Sequence, residues 1–176
     1  MGISNTETPC GGSIVWPFES GAAWEIIQGY NGGTHQNRSS LAQYYYSLDL
    51  ARVDGATAGE SVLSPVSGTV RWNDPGSGGI AIDMGNGYVV SLFHATYASG
   101  LSSGTTVTQG QYLGYVSGPG ENGYAAVDHI QITLWASSDG GRTNQAAPFV
   151  GAFAISGTEF PDVGGANQHN GTEFYP

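Results

Sequence analysis

The sequence contains no lysine, and its four arginines are set against fourteen aspartates and glutamates, which gives a formal net charge of −10. Nucleic-acid-binding proteins neutralise phosphates with Lys and Arg, so this composition argues against a nucleic-acid partner. The same negative charge argues against non-specific adhesion to polyanionic surfaces. The composition therefore directs attention to peptide, glycan or small-molecule partners.

Cysteine and long apolar runs are also scarce. The single cysteine, Cys10, excludes an intramolecular disulfide, so cysteine usage does not indicate a cellular compartment. No run of about eighteen apolar residues exists, so we expect no membrane-spanning segment. No charged-then-apolar signal sequence opens the chain. We interpret the polar start after Met1 as the beginning of a trimmed domain that is normally exported.

Glycine and aromatic residues are abundant instead. The 176 residues include 29 Gly, 10 Tyr and 4 Trp, whereas charged residues make up only 10%. This profile is typical of short β-strands joined by tight turns, and no stretch shows convincing helical amphipathicity. A chain of this length buries most of its apolar surface without disulfides or a structural metal. We therefore predict a single all-β domain with a mostly antiparallel sheet.

The predicted strands succeed one another along the middle of the chain. Strand-forming residues occupy 44–51, 61–72, 79–84, 88–94, 107–116 and 129–135. Gly85-Asn86-Gly87, between two of these segments, is an Asn-Gly hairpin signal. We predict a polar N-terminal lead over residues 1–12, the domain itself over 13–163, and a polar C-terminal tail over 164–176.

A small set of polar residues stands out on this framework: His35, Asp49, His94, His129 and Gln131. The chain has only four histidines, and three of them belong to this set. Side chains alternate across a strand, so His129 and Gln131 share one face while Ile130 and Ile132 share the other. The apolar face predicts the core side of the strand, and the polar face predicts the floor of a groove.

Four ordered segments carry a family resemblance: SVLSPVSGTVRW (61–72), GGIAIDMGNGYVVSLFHA (78–95), VTQGQYLGYVSGPGENG (107–123) and DHIQITLW (128–135). With the His and Asp that precede them, they resemble the lysostaphin/LasA-type zinc endopeptidases over roughly residues 14–155. The resemblance implies a β-rich, peptidase-like domain with an open groove between long loops.

The resemblance also implies a role for each member of the polar set. That family holds its metal with a His, an Asp and the second His of a His-x-His motif. Matched by motif, His35 and Asp49 fall on two ligand positions and Gln131 on the third. His94 and His129 fall on the pair that handles the attacking water and the developing oxyanion. The implied cofactor is Zn²⁺, and the implied activity is cleavage of peptidoglycan cross-links or glycine-rich peptides by an extracellular or cell-surface enzyme.

Gln131 departs from this pattern. Catalytic zinc is normally held by three protein ligands with a fourth position open to water, and an amide oxygen is a poorer zinc ligand than imidazole. Three interpretations follow from this departure. The domain binds zinc weakly, or it recruits a substitute ligand such as Asp128 or a water, or it has lost catalysis and kept the groove for binding. A register shift that makes His129 the ligand would place Val127 at the catalytic position.

The site residues also have purely structural interpretations. His35 lies in a loop-like stretch and alone would be typical of a surface histidine. Asp49 lies between two leucines, where an unpaired carboxylate is costly, so a hydrogen bond to a backbone amide or to Arg52 is its structural alternative. His94 fits a histidine at the edge of the core. His129 fits the solvent side of a half-buried sheet.

Two functional hypotheses follow. The first is a secreted zinc endopeptidase that acts on peptidoglycan or glycine-rich peptides. The four site positions other than Gln131 match the family pattern and favour this hypothesis. The second is a catalytically degenerate relative, an extracellular module that binds peptides or glycans or associates with itself. Gln131, the acidic charge and the many Tyr and Trp residues favour the second. A biotinyl- or lipoyl-type carrier, suggested by SPVSGTV (64–70), is excluded because no lysine is present to be modified.

Overall fold

The computed structural model describes residues 13–36, 42–137 and 146–176. Within these ranges the chain forms twelve strands: β1 (Trp24–Gln28), β2 (Ser47–Arg52), β3 (Ser61–Leu63), β4 (Gly68–Asp74), β5 (Gly79–Asp83), β6 (Val89–Phe93), β7 (Ala95–Tyr97), β8 (Thr106–Val107), β9 (Tyr112–Val116), β10 (Ile130–Trp135), β11 (Ala146–Ala147) and β12 (Glu173–Phe174). The helical elements of the described residues are short 3-10 turns at Gly33–His35, Ala42–Tyr44 and Gly151–Phe153. No helix in the described part is long and apolar enough to cross a membrane.

Nine strands form one antiparallel sheet in the order β12-β1-β2-β10-β6-β5-β4-β8, with β11 pairing onto β10. A second antiparallel sheet contains β3, β9 and β7 in that order. The all-β, mostly antiparallel architecture predicted from the sequence is thus confirmed.

The core lies beneath the central strands of the large sheet. Ile130, Ile132 and Leu134 of β10 are fully buried, and Leu48 and Leu50 of the neighbouring β2 are buried beside them. Strand alternation sends these side chains to one face of the sheet, as the sequence predicts. The alternate residues of the same strands therefore project to the opposite face, where the polar set lies.

The predicted hairpin is formed between β5 and β6, which pair antiparallel from Asp83↔Val89 onwards. The backbones of Gly85 and Gly87 both adopt positive φ values, of 78° and 84°. Glycine reaches this conformation without the steric cost that a Cβ atom brings. The turn residues therefore set the register of the β5–β6 pair, and β6 then leads directly into His94.

The C-terminal segment packs on the domain. Strand β12 pairs with β1 through Trp24↔Phe174, and the ring of Phe174 stacks on Trp16 at a centroid distance of 3.7 Å. The structure therefore ties both ends of the described chain to the same edge of the large sheet. The domain boundaries at residues 12 and 164 stay predictions, and Cys10 with the rest of the N-terminal lead lies outside the described residues.

Candidate functional site

A groove of about 540 Å³ opens over the polar face of the large sheet. Its lining combines the polar set with apolar walls: Ile27, Gln28, Thr34, Tyr44, Asp49, Ser77, Phe93, His94, Ala125, Val127, His129 and Gln131. Four of the five predicted site residues thus line one groove. The fifth, His35, is fully buried and contacts the groove through Asp49.

Strand register brings the polar residues together. Asp49 of β2 lies directly opposite Gln131 of β10, and Gln131 lies directly opposite Phe93 of β6. Directly opposed residues of antiparallel strands carry their side chains on the same face, about 5 Å apart. His94 follows Phe93 and turns the chain with a positive φ of 72°, a conformation uncommon for a non-glycine residue.

His35 and Asp49 meet in an arrangement that is not a hydrogen bond. The His35 Nε2 atom lies 3.1 Å from Asp49 Oδ1, yet both atoms are buried without a hydrogen-bond partner. The His35 Nδ1 atom lies 3.2 Å from the Gly29 carbonyl oxygen. A carbonyl oxygen only accepts, so Nδ1 carries a hydrogen. In the neutral tautomer this leaves the Nε2 lone pair facing the buried carboxylate oxygen.

The second carboxylate oxygen of Asp49 has two neighbours. The side-chain amide nitrogen of Gln28 donates to Asp49 Oδ2 at 2.8 Å and also lies 2.8 Å from the Thr34 hydroxyl oxygen. The Nε2 atom of His129 lies 3.7 Å from the same Asp49 oxygen. Sequence reasoning missed Gln28, because β1 was not predicted and only its pairing with β2 aligns Gln28 with Asp49.

His35, His94 and His129 share one mode of anchoring. The Nδ1 atom of His94 lies 2.7 Å from the Gly123 carbonyl oxygen, and that of His129 lies 2.8 Å from the Val127 carbonyl oxygen. As in His35, these contacts place the hydrogen on Nδ1 and leave Nε2 free to accept a proton or bind a cation. Backbone carbonyls therefore fix the tautomer at each ring.

His94 and His129 lie side by side, with ring centroids 4.4 Å apart. Burial lowers the pKa of His94, and the neighbouring His129 lowers it further, while the hydrogen bond to Gly123 acts in the opposite direction. Desolvation disfavours the charged imidazolium, so His94 stays neutral to a lower pH than an exposed histidine does. A neutral His94 is a proton acceptor in the groove.

Gln131 is engaged with the sheet itself. Gln131 is buried, and its amide nitrogen lies 3.4 Å from the Ser47 hydroxyl oxygen and 3.3 Å from that of Thr133. These two hydroxyls are also hydrogen-bonded to each other. Among the described residues, no group of three His, Cys, Asp or Glu side chains is arranged as a ready-made metal site.

The structure also decides several alternatives raised by the sequence. Arg52 pairs with Glu60 and Asp54, so it does not neutralise Asp49. Asp128 is only half-buried and is not among the groove-lining residues. Asp74 accepts from Gly76 and Ser77, as is typical of a turn residue.

Two loops, which contain Gly78 and Gly123, lie in contact with each other behind His94. Gly78 and Gly123 pack so tightly that a Cβ built on either one would lie within 2.8 Å of the other's Cα. The Gly123 loop is held by Glu121, which accepts from the Gly118 amide and from the Tyr115 hydroxyl. Glycine at both positions therefore permits the close approach that places the Gly123 carbonyl on the His94 ring.

An aromatic wall flanks the other side of the groove. The ring of Phe93 contacts those of Tyr44 and Trp72, at centroid distances of 5.9 and 5.7 Å. Sequence reasoning noted the aromatic content but did not place these residues at the site. They give the groove an apolar surface beside its polar floor.

Comparisons with known proteins place this geometry in a fold family. No protein-family model matches the chain. No curated protein matches it either. Several solved structures match its fold. The M23 metalloprotease pseudoalterin from the deep sea is 21% identical, with a TM-score of 0.65 over 89% of this chain and 84% of that one. The chain has the M23 metallopeptidase fold.

Two further structures share the M23 fold of this chain. A zinc-containing peptidase from Vibrio cholerae is 17% identical, with a TM-score of 0.55 over 82% of this chain and 40% of that one. A chain from the SpoIIIAH–SpoIIQ complex is 18% identical, with a TM-score of 0.54 over 76% of this chain and 95% of that one. The lysostaphin-type, peptidase-like architecture predicted from the sequence is confirmed. At these identities the likeness concerns the fold, and the roles of the groove residues rest on this chain's own geometry.

Proposed function

We propose that this domain is a metal-dependent endopeptidase that cleaves peptidoglycan cross-links or glycine-rich peptides outside the cell. The observation that carries the proposal is the buried contact between His35 Nε2 and Asp49 Oδ1. These atoms lie 3.1 Å apart with no hydrogen-bond partner in the described structure. Buried polar atoms are nearly always paired, and leaving one oxygen of a buried carboxylate without a partner is costly. A divalent cation bound by both atoms removes this cost.

The chemistry of the two atoms suits zinc. Zn²⁺ binds neutral imidazole nitrogen and carboxylate oxygen, and metal-ligating histidines usually donate their other ring hydrogen to a carbonyl or carboxylate. His35 has this second contact, through Nδ1 to the Gly29 carbonyl oxygen. We assign His35 and Asp49 as two metal ligands. When bound, zinc activates a water molecule and polarises the scissile carbonyl.

The remaining groove residues serve the peptide and the proton. His94, neutral because burial lowers its pKa, accepts a proton from the attacking water at Nε2 and returns it to the leaving amine. Its Nδ1 contact with the Gly123 carbonyl oxygen orients the ring for both steps. The apolar surfaces of Phe93 and Val127 flank the groove and exclude water from the bound peptide. His129, whose ring lies beside that of His94, extends this polar strip along the groove floor.

A second candidate function is a non-catalytic binding or self-associating module. The engagement of the Gln131 amide with Ser47 and Thr133 favours it, because the third ligand position of the fold then offers no imidazole. The likeness to a chain of the SpoIIIAH–SpoIIQ complex is compatible with a protein-binding role for this fold. In this case the groove binds a peptide or glycan without cleaving it.

Metal content and chelator sensitivity test the proposal. The purified domain is equilibrated with zinc, dialysed, and analysed for bound metal, and cleavage of glycine-rich peptides and peptidoglycan is followed with and without chelator. We expect bound zinc and slow, chelator-sensitive cleavage, both lost in Asp49→Asn. Asp83→Asn is the matched control and should retain both, because the Asp83 side chain accepts from the Gly85 amide in the β5–β6 turn and does not line the groove. Tight peptidoglycan or peptide binding without zinc and without cleavage would establish the binding module instead.

A further inference from the structure

Residues 162–172 form a loop, called the C-terminal loop below, that packs against the part of the chain leading to His35. The Gln168 amide of this loop donates to the Tyr30 carbonyl oxygen at 2.9 Å. We propose that the C-terminal loop positions the His35 ring, with Asn167 as the positioning residue that links the two. The inference rests on the proposed function, in which His35 is a metal ligand.

Two hydrogen bonds in series connect Asn167 to His35. The Gly29 amide donates to the side-chain oxygen of Asn167 at 2.9 Å. The carbonyl oxygen of the same glycine accepts from His35 Nδ1 at 3.2 Å. Gly29 is buried, so its amide and carbonyl depend on these protein partners more than exposed groups do. Asn167 therefore holds the backbone that orients the His35 ring.

The two loops are also in direct contact at this point. A Cβ atom built on Gly29 would collide with the Gln168 carbonyl oxygen, and one built on Gly32 would collide with Asn167 Oδ1. Glycine has no Cβ, so both positions allow the close approach. The contact brings the Asn167 side chain within hydrogen-bonding distance of the Gly29 amide.

The C-terminal loop is braced by its own hydrogen bonds. The side chain of the buried Gln168 donates to Asp162 Oδ1 at 2.9 Å and accepts from the Val163 amide at 2.7 Å. Asn167 has a φ of 52°, in the left-handed region that asparagine adopts more readily than most residues do. The loop therefore presents the Asn167 side-chain oxygen at a fixed place.

The same loop is tied to the strand that carries the second assigned ligand. The Tyr46 hydroxyl donates to Asp162 Oδ2 at 2.8 Å. Tyr46 immediately precedes β2, and Asp49 is the third residue of that strand. The C-terminal loop therefore bridges the chain segments of His35 and Asp49, whose separation decides whether one cation can contact both.

The His35 ring needs this support because a second hydrogen-bonding arrangement competes with the observed one. A neutral His35 that lost the Gly29 carbonyl would gain by carrying its hydrogen on Nε2, where Asp49 Oδ1 lies 3.1 Å away and can accept it. That tautomer withholds the Nε2 lone pair that a cation requires. Asn167 thus supports metal binding by keeping the hydrogen on Nδ1.

Zinc affinity of purified variants gives the first test. Zinc is titrated against a competing chelator for the unaltered chain, Asn167→Gly, Asn167→Asp and the matched control Asn86→Gly. Glycine tolerates the left-handed backbone, so Asn167→Gly removes the acceptor without adding strain, whereas aspartate keeps an acceptor. Asn86 is exposed in the β5–β6 turn, where its side-chain oxygen accepts from the Tyr88 amide at 3.1 Å.

We expect Asn167→Gly to lose about tenfold in zinc affinity, at the lower end of the cost of removing a partner that supports a metal ligand. Asn167→Asp and Asn86→Gly should bind zinc as the unaltered chain does. Equal losses in Asn167→Gly and Asn167→Asp would overturn the inference, because the effect would then not depend on the side-chain acceptor.

Hydrogen exchange in the metal-free protein separates positioning from general destabilisation. Exchange with solvent is followed by NMR for the Gly29 amide hydrogen and the His35 Nδ1 hydrogen in the same variants. We expect both to exchange faster in Asn167→Gly, while the amides of β5 and β6 keep their rates. Unchanged His35 exchange, or exchange raised equally in those strands, would overturn the inference. An unaltered chain that binds no zinc would overturn the proposed function, and the exchange rates would still decide whether Asn167 positions His35.

Discussion

Replacing Gln131 with histidine tests the site most directly, because Gln131 lies opposite Asp49 in the β2–β10 register. The introduced imidazole enters the same face of the sheet as the amide that it replaces. The substitution removes two long hydrogen bonds, of 3.4 and 3.3 Å, to Ser47 and Thr133. Hydrogen bonds contribute about 0.5–1.5 kcal/mol each, and long ones lie at the lower end. We therefore expect the metal-free variant to lose about 1 kcal/mol, or about 2–4 °C in Tm for a chain of this size.

Zinc should more than reverse this loss. An additional imidazole at the metal should raise zinc affinity by about 10–100-fold, which corresponds to about 1.4–2.8 kcal/mol. At a free zinc concentration 100 times the Kd, binding stabilises the folded state by about 2.7 kcal/mol, so Tm should rise by about 5–11 °C. Gln131→Leu is the matched control: it loses the same hydrogen bonds but adds no imidazole, so it should gain less from zinc than Gln131→His does.

Activity should follow, since the introduced imidazole supplies a third metal ligand and leaves His129 to face the substrate. Cleavage of glycine-rich or cross-linked peptides should increase in Gln131→His and disappear in Gln131→His/His129→Ala, although the double variant still binds zinc. Thermal melts with zinc or chelator and a peptide and peptidoglycan panel measure these outcomes. Stoichiometric zinc binding by Gln131→His without any cleavage would refute the reasoning and favour the binding module. Equal, chelator-sensitive cleavage by the unaltered chain would show that its present ligand set already works fully.

Three further predictions concern the structure around the site. Phe174→Ala removes a buried ring stacked on Trp16 and should destabilise the domain by about 3–5 kcal/mol in denaturant unfolding. Gly123→Ala places a Cβ against Gly78 at a φ of +85°, so kcat/KM should fall more than in Gly85→Ala, where the added Cβ meets no neighbour. Backbone and side-chain hydrogen bonds, chiefly from the Gly164 amide, lower the pKa of Asp162 from its unfolded value of 3.8. The ionised carboxylate therefore stabilises the folded state fully above pH 3.8, and this stabilisation is lost as the pH falls through the lowered pKa of the folded state. Asp162→Asn should therefore flatten the pH dependence of Tm below about pH 4, and an unchanged acid limb would contradict this.

Local patterns in the sequence predicted much of the central sheet. The alternation of Ile130 and Ile132 with His129 and Gln131 indicates which face is buried, because side-chain direction has a fixed period of two in any strand. The Asn-Gly turn predicts the β5–β6 hairpin, because its backbone requirements are local as well. The order of the His and Asp residues along the strands was enough for the resemblance to the lysostaphin-type enzymes, and the structure confirms that fold.

The remaining features depended on contacts between distant parts of the chain. Strand β1 gains its partners from β2 and from β12, which lies nearly 150 residues later, so nothing local indicated that Gln28 would donate to Asp49. The carbonyls that orient His94 and His129 belong to loops with no motif of their own. The sequence by itself therefore determined which chemical groups the groove contains. Only the tertiary structure decided which atoms they present, because the tautomer of a histidine and the partner of a carboxylate are set by neighbours that the fold brings together.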